Sequence, residues 1–427
     1  MYRKLTKELE QWKHNPNRKP LIIQGARQVG KTWIMKEFGA LNFENVVYIN
    51  FESSVRLQMI FTDDFSISRL LTIFEIESGK TIAAHNTLII LDEIQEAEKG
   101  LTALKYFQEN APEYFIIAAG SLLGVSLQKD NSFPVGKVDL LNLLPMSFEE
   151  FLINHNEQTL VKVIQNQEWD IIYTFHEKLI HYLRLYYFVG GMPEVVQSYL
   201  QNQNFALVRK IQNDILMGYE NDFAKHAPIE VVPKIRMVWH SILAQLSKEN
   251  KKFIYGQMKN GARAKEFELA INWLVNTGLI LKSTRVSKPA IPLKSYSNFD
   301  VFKLYLLDVG LLNAMAQISE QILLNKNQIL VEFKGALTEQ FVAQELLAKY
   351  ELYYWTAGNG TAELDFIVQA NQNIIPIEVK AEENLKSKSL RVFEDKFKTQ
   401  FATRLSMSKY RRDDWVINIP LYATFTL

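Results

Sequence analysis

Short apolar runs punctuate the first 150 residues, at 21–23, 46–51, 88–91 and 114–119, and longer stretches with helical spacing separate them. Such runs suit strands buried on both faces of a parallel sheet, with the intervening stretches as crossover helices. The pattern predicts an α/β domain over residues 1–150. From 151 to 230 it turns helical, with aromatic and leucine spacing broken by Gly190-Gly191-Met192-Pro193. Residues 231–318 read as a small helical module with one hairpin. Its helix, over 265–277, carries Phe267, Ile271, Leu274 and Val275 at core spacing and stops at Gly278. A strand over 279–285 follows, then a turn with Pro289 and Pro292 and a return strand. Helix followed by hairpin is the pattern of a winged helix. Residues 319–427 read as a separate α/β domain, in which a helix with Leu337, Phe341, Val342 and Leu346 precedes strands near 352–354, 363–368 and 374–379.

The length of 427 residues fits this division into several compact units. A net charge of +1 is too near neutral to indicate a nucleic-acid or membrane partner, so any electrostatic argument must be local. The absence of cysteine excludes disulfides, thiolate zinc sites and cysteine nucleophiles, and it suits a reducing cytoplasm. The first residues lack the apolar core of a signal peptide, and no apolar run approaches the roughly 18 residues of a spanning helix. A cytoplasmic protein without a membrane partner is expected. The histidines show no zinc spacing.

Gly25-Ala26-Arg27-Gln28-Val29-Gly30-Lys31-Thr32 fits the phosphate-loop pattern G-x-x-x-x-G-K-[ST] at every fixed position, between an expected strand and an expected helix. Glycines let backbone amides wrap a polyphosphate, and the helix N-terminus adds partial positive charge. Lys31 is expected at the β- and γ-phosphates of ATP, and the Thr32 hydroxyl on magnesium. The apolar run 88–91 ends at Asp92-Glu93, which places both carboxylates at the strand edge where open α/β sheets hold ligands. Asp92 suits the magnesium shell, and Glu93 suits polarising a water for attack on the γ-phosphate. Ser121, just past the next strand, reads equally as a γ-phosphate sensor or as a cap of the following segment.

Around these motifs the chain resembles a bacterial family of AAA-like ATPases that carry a C-terminal domain of uncharacterised function. The resemblance spans nearly the whole chain. Beyond the loop and the acidic pair it rests on Leu144-Pro145-Met146-Ser147-Phe148-Glu149-Glu150-Phe151 and Gly190-Gly191-Met192-Pro193-Glu194. Gly261-Ala262-Arg263-Ala264-Lys265 and the ten residues from Lys303 to Leu312 add to it. It implies an ATPase core, a helical extension, a winged helix and a nuclease-like end domain. One departure is Gly136-Lys137, where the family commonly has Gly-Arg; lysine keeps the charge and loses the bidentate fork.

In the end domain, Asp365 lies on one expected strand, and Glu378 and Lys380 share one face of the next. Two carboxylates on adjacent strands suit a hard divalent cation, and a nearby lysine suits orienting a water. The arrangement looks like the PD-(D/E)xK nuclease motif, with Glu339 matching the additional acid of that fold at the pocket's edge. An amphipathic strand with a surface Glu and Lys accounts for the same residues. Between Lys380 and Arg412, ten lysines and arginines face four acids, and Arg263, Lys265, Lys282, Arg285 and Lys288 surround the expected winged helix. Such stripes suit DNA or RNA, although a solvated charged face has the same composition. The composite expectation is an ATPase coupled to a nucleic-acid-handling C-terminal half. The alternative is an ATP-dependent switch or scaffold for DNA or a protein partner.

Overall fold

The structure is a computed structural model, described for all residues except 121–132, 249–250, 325–330, 359, 361, 383–385 and 400–401. The chain divides into two compact units. One comprises Tyr2–Leu144 with Asn276–Gly278, and the other Met1, Pro145–Val275 and Leu279–Leu427.

The first unit is built on β1 (Leu21–Gln24), β2 (Asn45–Asn50), β3 (Thr87–Asp92), β4 (Phe115–Gly120) and β5 (Asp139–Asn142). The strands are all parallel, in the order β2-β3-β4-β1-β5. Every residue of β3 and β4 is buried, the signature of strands covered on both faces. Ile22, Val47, Ile89 and Ile116 join Phe74, Leu104 and Phe107 of the covering helices in one core. The fifth strand has no counterpart among the sequence-predicted runs. Its burial alternates, with Leu140 48% exposed, so it presents no continuous apolar signal.

In the second unit, helices from Phe148–Asn154 to Val232–Leu246 precede an eight-stranded mixed sheet. Its strands are β6 (Ile280–Val286), β7 (Ser297–Leu306), β8 (Tyr353–Thr356), β9 (Glu363–Ala370), β10 (Asn373–Lys380), β11 (Thr403–Ser406), β12 (Arg411–Arg412) and β13 (Ile417–Pro420). They lie in the order β12-β13-β11-β10-β9-β8-β6-β7. The helix Ala264–Asn276 is followed by an antiparallel β6–β7 hairpin. That hairpin does not stand apart from the end domain, because β6 also pairs in parallel with β8. Val286 and Leu293 share one core with Tyr353, Trp355, Leu364 and Phe393. The division at 318/319 therefore cuts through a continuous sheet and a continuous core.

Three of the motifs that carry the family resemblance meet inside this unit. The Met146 amide donates to the Gly191 carbonyl at 2.7 Å, and the Gly191 amide donates to Asp308 Oδ2 at 2.6 Å. Gln344 Nε2 reaches the Tyr186 hydroxyl at 2.8 Å, and that hydroxyl donates to the Met146 carbonyl. A Cβ on Gly191 would lie 2.1 Å from the Met146 carbonyl oxygen, so only glycine allows the approach. Ser147 and Glu150 close a capping box on the next helix. These motifs build a packed joint.

Candidate nucleotide site and a buried charge cluster

Because all five strands of the first sheet run the same way, their C-terminal ends form one edge. There β1 leads into the phosphate loop, β3 ends at Asp92 and Glu93, and β4 lies between them. Gly30 takes φ +93° immediately before the helix Lys31–Asn42, a left-handed turn that a side chain would strain. The helix thus opens at the loop, with its first amides lacking intrahelical partners.

Lys31 is 6% exposed, and its Nζ donates to the carbonyls of Gly25 and Ala26 at 2.9 and 2.8 Å. Burial pushes its pKa down to about 8, against the opposing pull of Glu93 and Asp92. Thr32 Oγ1 donates to Asp92 Oδ2 at 2.7 Å, and the Glu93 amide donates to Asp92 Oδ1 at 3.1 Å. Glu93 itself adopts a left-handed backbone, φ +51°, a conformation that clusters at functional sites. The structure thus brings Lys31, Thr32, Asp92 and Glu93 together. A hydroxyl and a carboxylate converging at the helix start are hard oxygen donors of the kind magnesium takes, so the residues present fit that ion.

Three further residues have no signal in the sequence pattern. The Tyr48 hydroxyl donates to Asp92 Oδ2 at 2.9 Å, with Lys36 Nζ 3.6 Å from the Tyr48 ring centre. Gln95 Nε2 donates to Glu93 Oε2 at 2.5 Å. Arg3, 3% exposed, donates to the carbonyls of Val29 and Leu144 at 3.0 and 2.6 Å, clamping the loop from the N-terminal segment. Of the other loop residues, Gln28 takes φ +67°, and Arg27 lies 4.0 Å from Glu52 in an exposed pair. Lys137 forms a surface pair with Glu109 at 2.9 Å. Ser121 lies outside the described residues.

In the second unit, Phe366 opposes Ile377 across β9 and β10, and the next step of that antiparallel register sets Asp365 opposite Glu378. Asp365 Oδ2 accepts from the Val379 amide at 2.7 Å, and Lys380 Nζ lies 2.6 Å from Glu378 Oε1. Glu378 Oε2 is buried with no hydrogen-bond partner among the described residues. Glu339 lies in the interior rather than at a pocket edge, 2% exposed, where Lys251, Lys303 and Tyr305 all bond its carboxylate. Lys303 is fully buried, 3.1 Å from Glu339 and 2.7 Å from Glu363. Burial alone would depress the Lys303 pKa, but Glu339, Glu363 and Asp365 hold it above the ordinary lysine range. Burial and the neighbouring Glu339 raise the carboxyl of Asp365, whereas Lys251 and Lys303 overcome burial and hold Glu339 low. Among the described residues, no group of three or more His, Asp or Glu side chains has the spacing to hold a metal.

Residues 17–152 match the family described as AAA domain. Residues 180–322 and 334–422 each match a domain of unknown function, DUF8612 and DUF4143 respectively. No match was found among curated proteins. Similar solved structures include the Walker-type ATPase of Pyrococcus abyssi, 14% identical, covering 73% of this chain and 94% of that one at a TM-score of 0.45. Cdc6p from Pyrobaculum aerophilum is 12% identical over 75% of this chain and 93% of that one, at 0.26. AMPPCP-bound DnaA from Aquifex aeolicus is 15% identical over 64% and 85%, at 0.27. With its parallel sheet and phosphate loop, the matched segment 17–152 is a P-loop AAA-type nucleotide-binding core. Among the described residues, no helix is long and apolar enough to cross a membrane.

Proposed function

We propose that this protein is a magnesium-dependent ATPase whose nucleotide cycle works on a nucleic-acid-handling second unit. The observation that carries the first part is the Thr32–Asp92 bond, which joins the end of the phosphate loop to the end of the acidic strand. Lys31 leaves the carbonyls of Gly25 and Ala26 to bind the β- and γ-phosphates, while the amides from Gly25 to Thr32 cradle the chain. Thr32 and Asp92 would hold magnesium, which would offset phosphate charge. Glu93 takes a proton from water as the water oxygen bonds to the γ-phosphorus. The bond from that phosphorus to the β–γ bridging oxygen breaks, and its electron pair departs on ADP.

For the second unit, exposed Arg263, Lys265, Lys288, Lys386, Lys388 and Arg412 support contact with a phosphate backbone. The carboxylates Glu339, Asp365 and Glu378 resemble a nuclease set, but Lys251 and the buried Lys303 ammonium already pair with Glu339, and Lys380 pairs with Glu378. That favours a domain that binds without cutting.

The test is steady-state ATP turnover by the full chain, with and without duplex DNA or single-stranded RNA, across a salt series. Stimulation by nucleic acid that fades as salt rises is the expected result. Turnover indifferent to both polymers would move the partner of the second unit to a protein.

A further inference from the structure

We infer that Gln95 is a positioning residue for hydrolysis, holding Glu93 with its amide nitrogen and offering its amide oxygen to the attacking water. The inference rests on the hydrolytic reading above.

The left-handed turn at Glu93 reverses the chain into the short 3-10 segment Ile94–Glu96, and this returns the side chain of Gln95 to the carboxylate two residues before it. Nε2 donates to Glu93 Oε2 at 2.5 Å. The other end of the same amide, Oε1, is buried and has no hydrogen-bond partner among the described residues. An orphaned buried acceptor forfeits its hydration without a replacement bond, so such atoms call for an explanation. Here a planar amide has its donor end on the proposed base and its acceptor end enclosed beside it, unpartnered among the described residues. Water is the ligand that fits. A molecule lying between Glu93 and Gln95 Oε1 can donate one hydrogen to each, which leaves a lone pair free for the γ-phosphorus.

Chemistry also favours an amide at this position. As a neutral donor it holds the Glu93 carboxylate without adding a charge, whereas an ammonium would compete for the incoming phosphate. The short fixed side chain limits the base to a narrow set of rotamers, which lowers the orientational cost of the step.

The test uses the full chain with magnesium-ATP. Gln95→Ala should lower kcat about tenfold or more, with ATP affinity by calorimetry and thermal stability close to wild type. In a Glu93→Gln background, Gln95→Ala should cost nothing more. Wild-type turnover in Gln95→Ala, a loss of ATP affinity equal to the loss of turnover, or an equal loss in both backgrounds would each overturn the assignment while leaving the hydrolytic reading intact. Absence of turnover in the wild-type chain would overturn both.

Discussion

Thr32 Oγ1 donates to Asp92 Oδ2 across 2.7 Å, although the two residues stand sixty positions apart in sequence. The same carboxylate oxygen accepts from Tyr48, so two hydroxyls already mark the direction in which Asp92 offers its charge. Asp92→Ala removes that charge and should raise the magnesium concentration needed for half-maximal ATP binding about tenfold or more. A magnesium titration at fixed ATP, followed by calorimetry, measures it. An unchanged magnesium requirement would move the ion elsewhere.

Lys31 gives the phosphate site its own pH dependence. In the free protein burial lowers its pKa to about 8, and only the protonated form attracts phosphate. ATP affinity should therefore hold steady up to about pH 8 and then fall, approaching a tenfold loss per further pH unit. Lys31→Ala should lose about 100-fold or more in affinity at neutral pH, since it removes charge-assisted bonds. Calorimetric titrations between pH 7 and 9.5 test both statements. Affinity that rises with pH in that range contradicts the role.

Gly191 stands where a methyl group would meet the Met146 carbonyl oxygen at 2.1 Å. Gly191→Ala should destabilise the second unit by roughly 2–4 kcal/mol, with ATP affinity unaltered. Denaturant unfolding together with nucleotide titration separates the two effects. A variant that keeps its stability but loses ATP binding would make the glycine motif part of the nucleotide site.

Lys303 is the centre of the buried charge cluster, bonded to Glu339 and paired with Glu363. Lys303→Met leaves carboxylates buried without that cation and should destabilise the chain by about 3–5 kcal/mol. On the same account, the wild-type chain leaves duplex DNA intact in magnesium or manganese. Cleavage that Lys380→Ala abolishes would show an active site there instead.

The sequence was most legible where burial is two-sided. Strands β1, β3 and β4 write themselves as apolar runs, and β2 does so although it buries only Val47 and Ile49, whereas β5 buries none of its residues and leaves Leu140 in solvent. Asp92 and Glu93 announce themselves by following such a run, but Tyr48 and Arg3 act through contacts between distant segments that local spacing does not record. The end domain shows the limit more sharply. Period-two reasoning found Asp365, Glu378 and Lys380, but Lys303 lies on β7, thirty-six positions before Glu339, and looks like an ordinary charge in an apolar strand. The basic count over 380–412 stops just short of Asp413 and Asp414. In the structure Arg404 is buried, and Arg391 and Arg411 pair with Asp395 and Asp413. Fewer cations of that segment are therefore available to a nucleic acid than its composition suggests.

The central claim is that Glu93 activates water for ATP hydrolysis at the end of β3. Glu93→Gln keeps the shape of the side chain and loses the base, so the variant should bind magnesium-ATP with near wild-type affinity and turn over about 100-fold more slowly, or less. Paired calorimetry and phosphate-release measurements on the wild type and this one variant test the claim most directly. Retained binding with lost turnover is the predicted result. Turnover at the wild-type rate would contradict it and require another catalytic carboxylate.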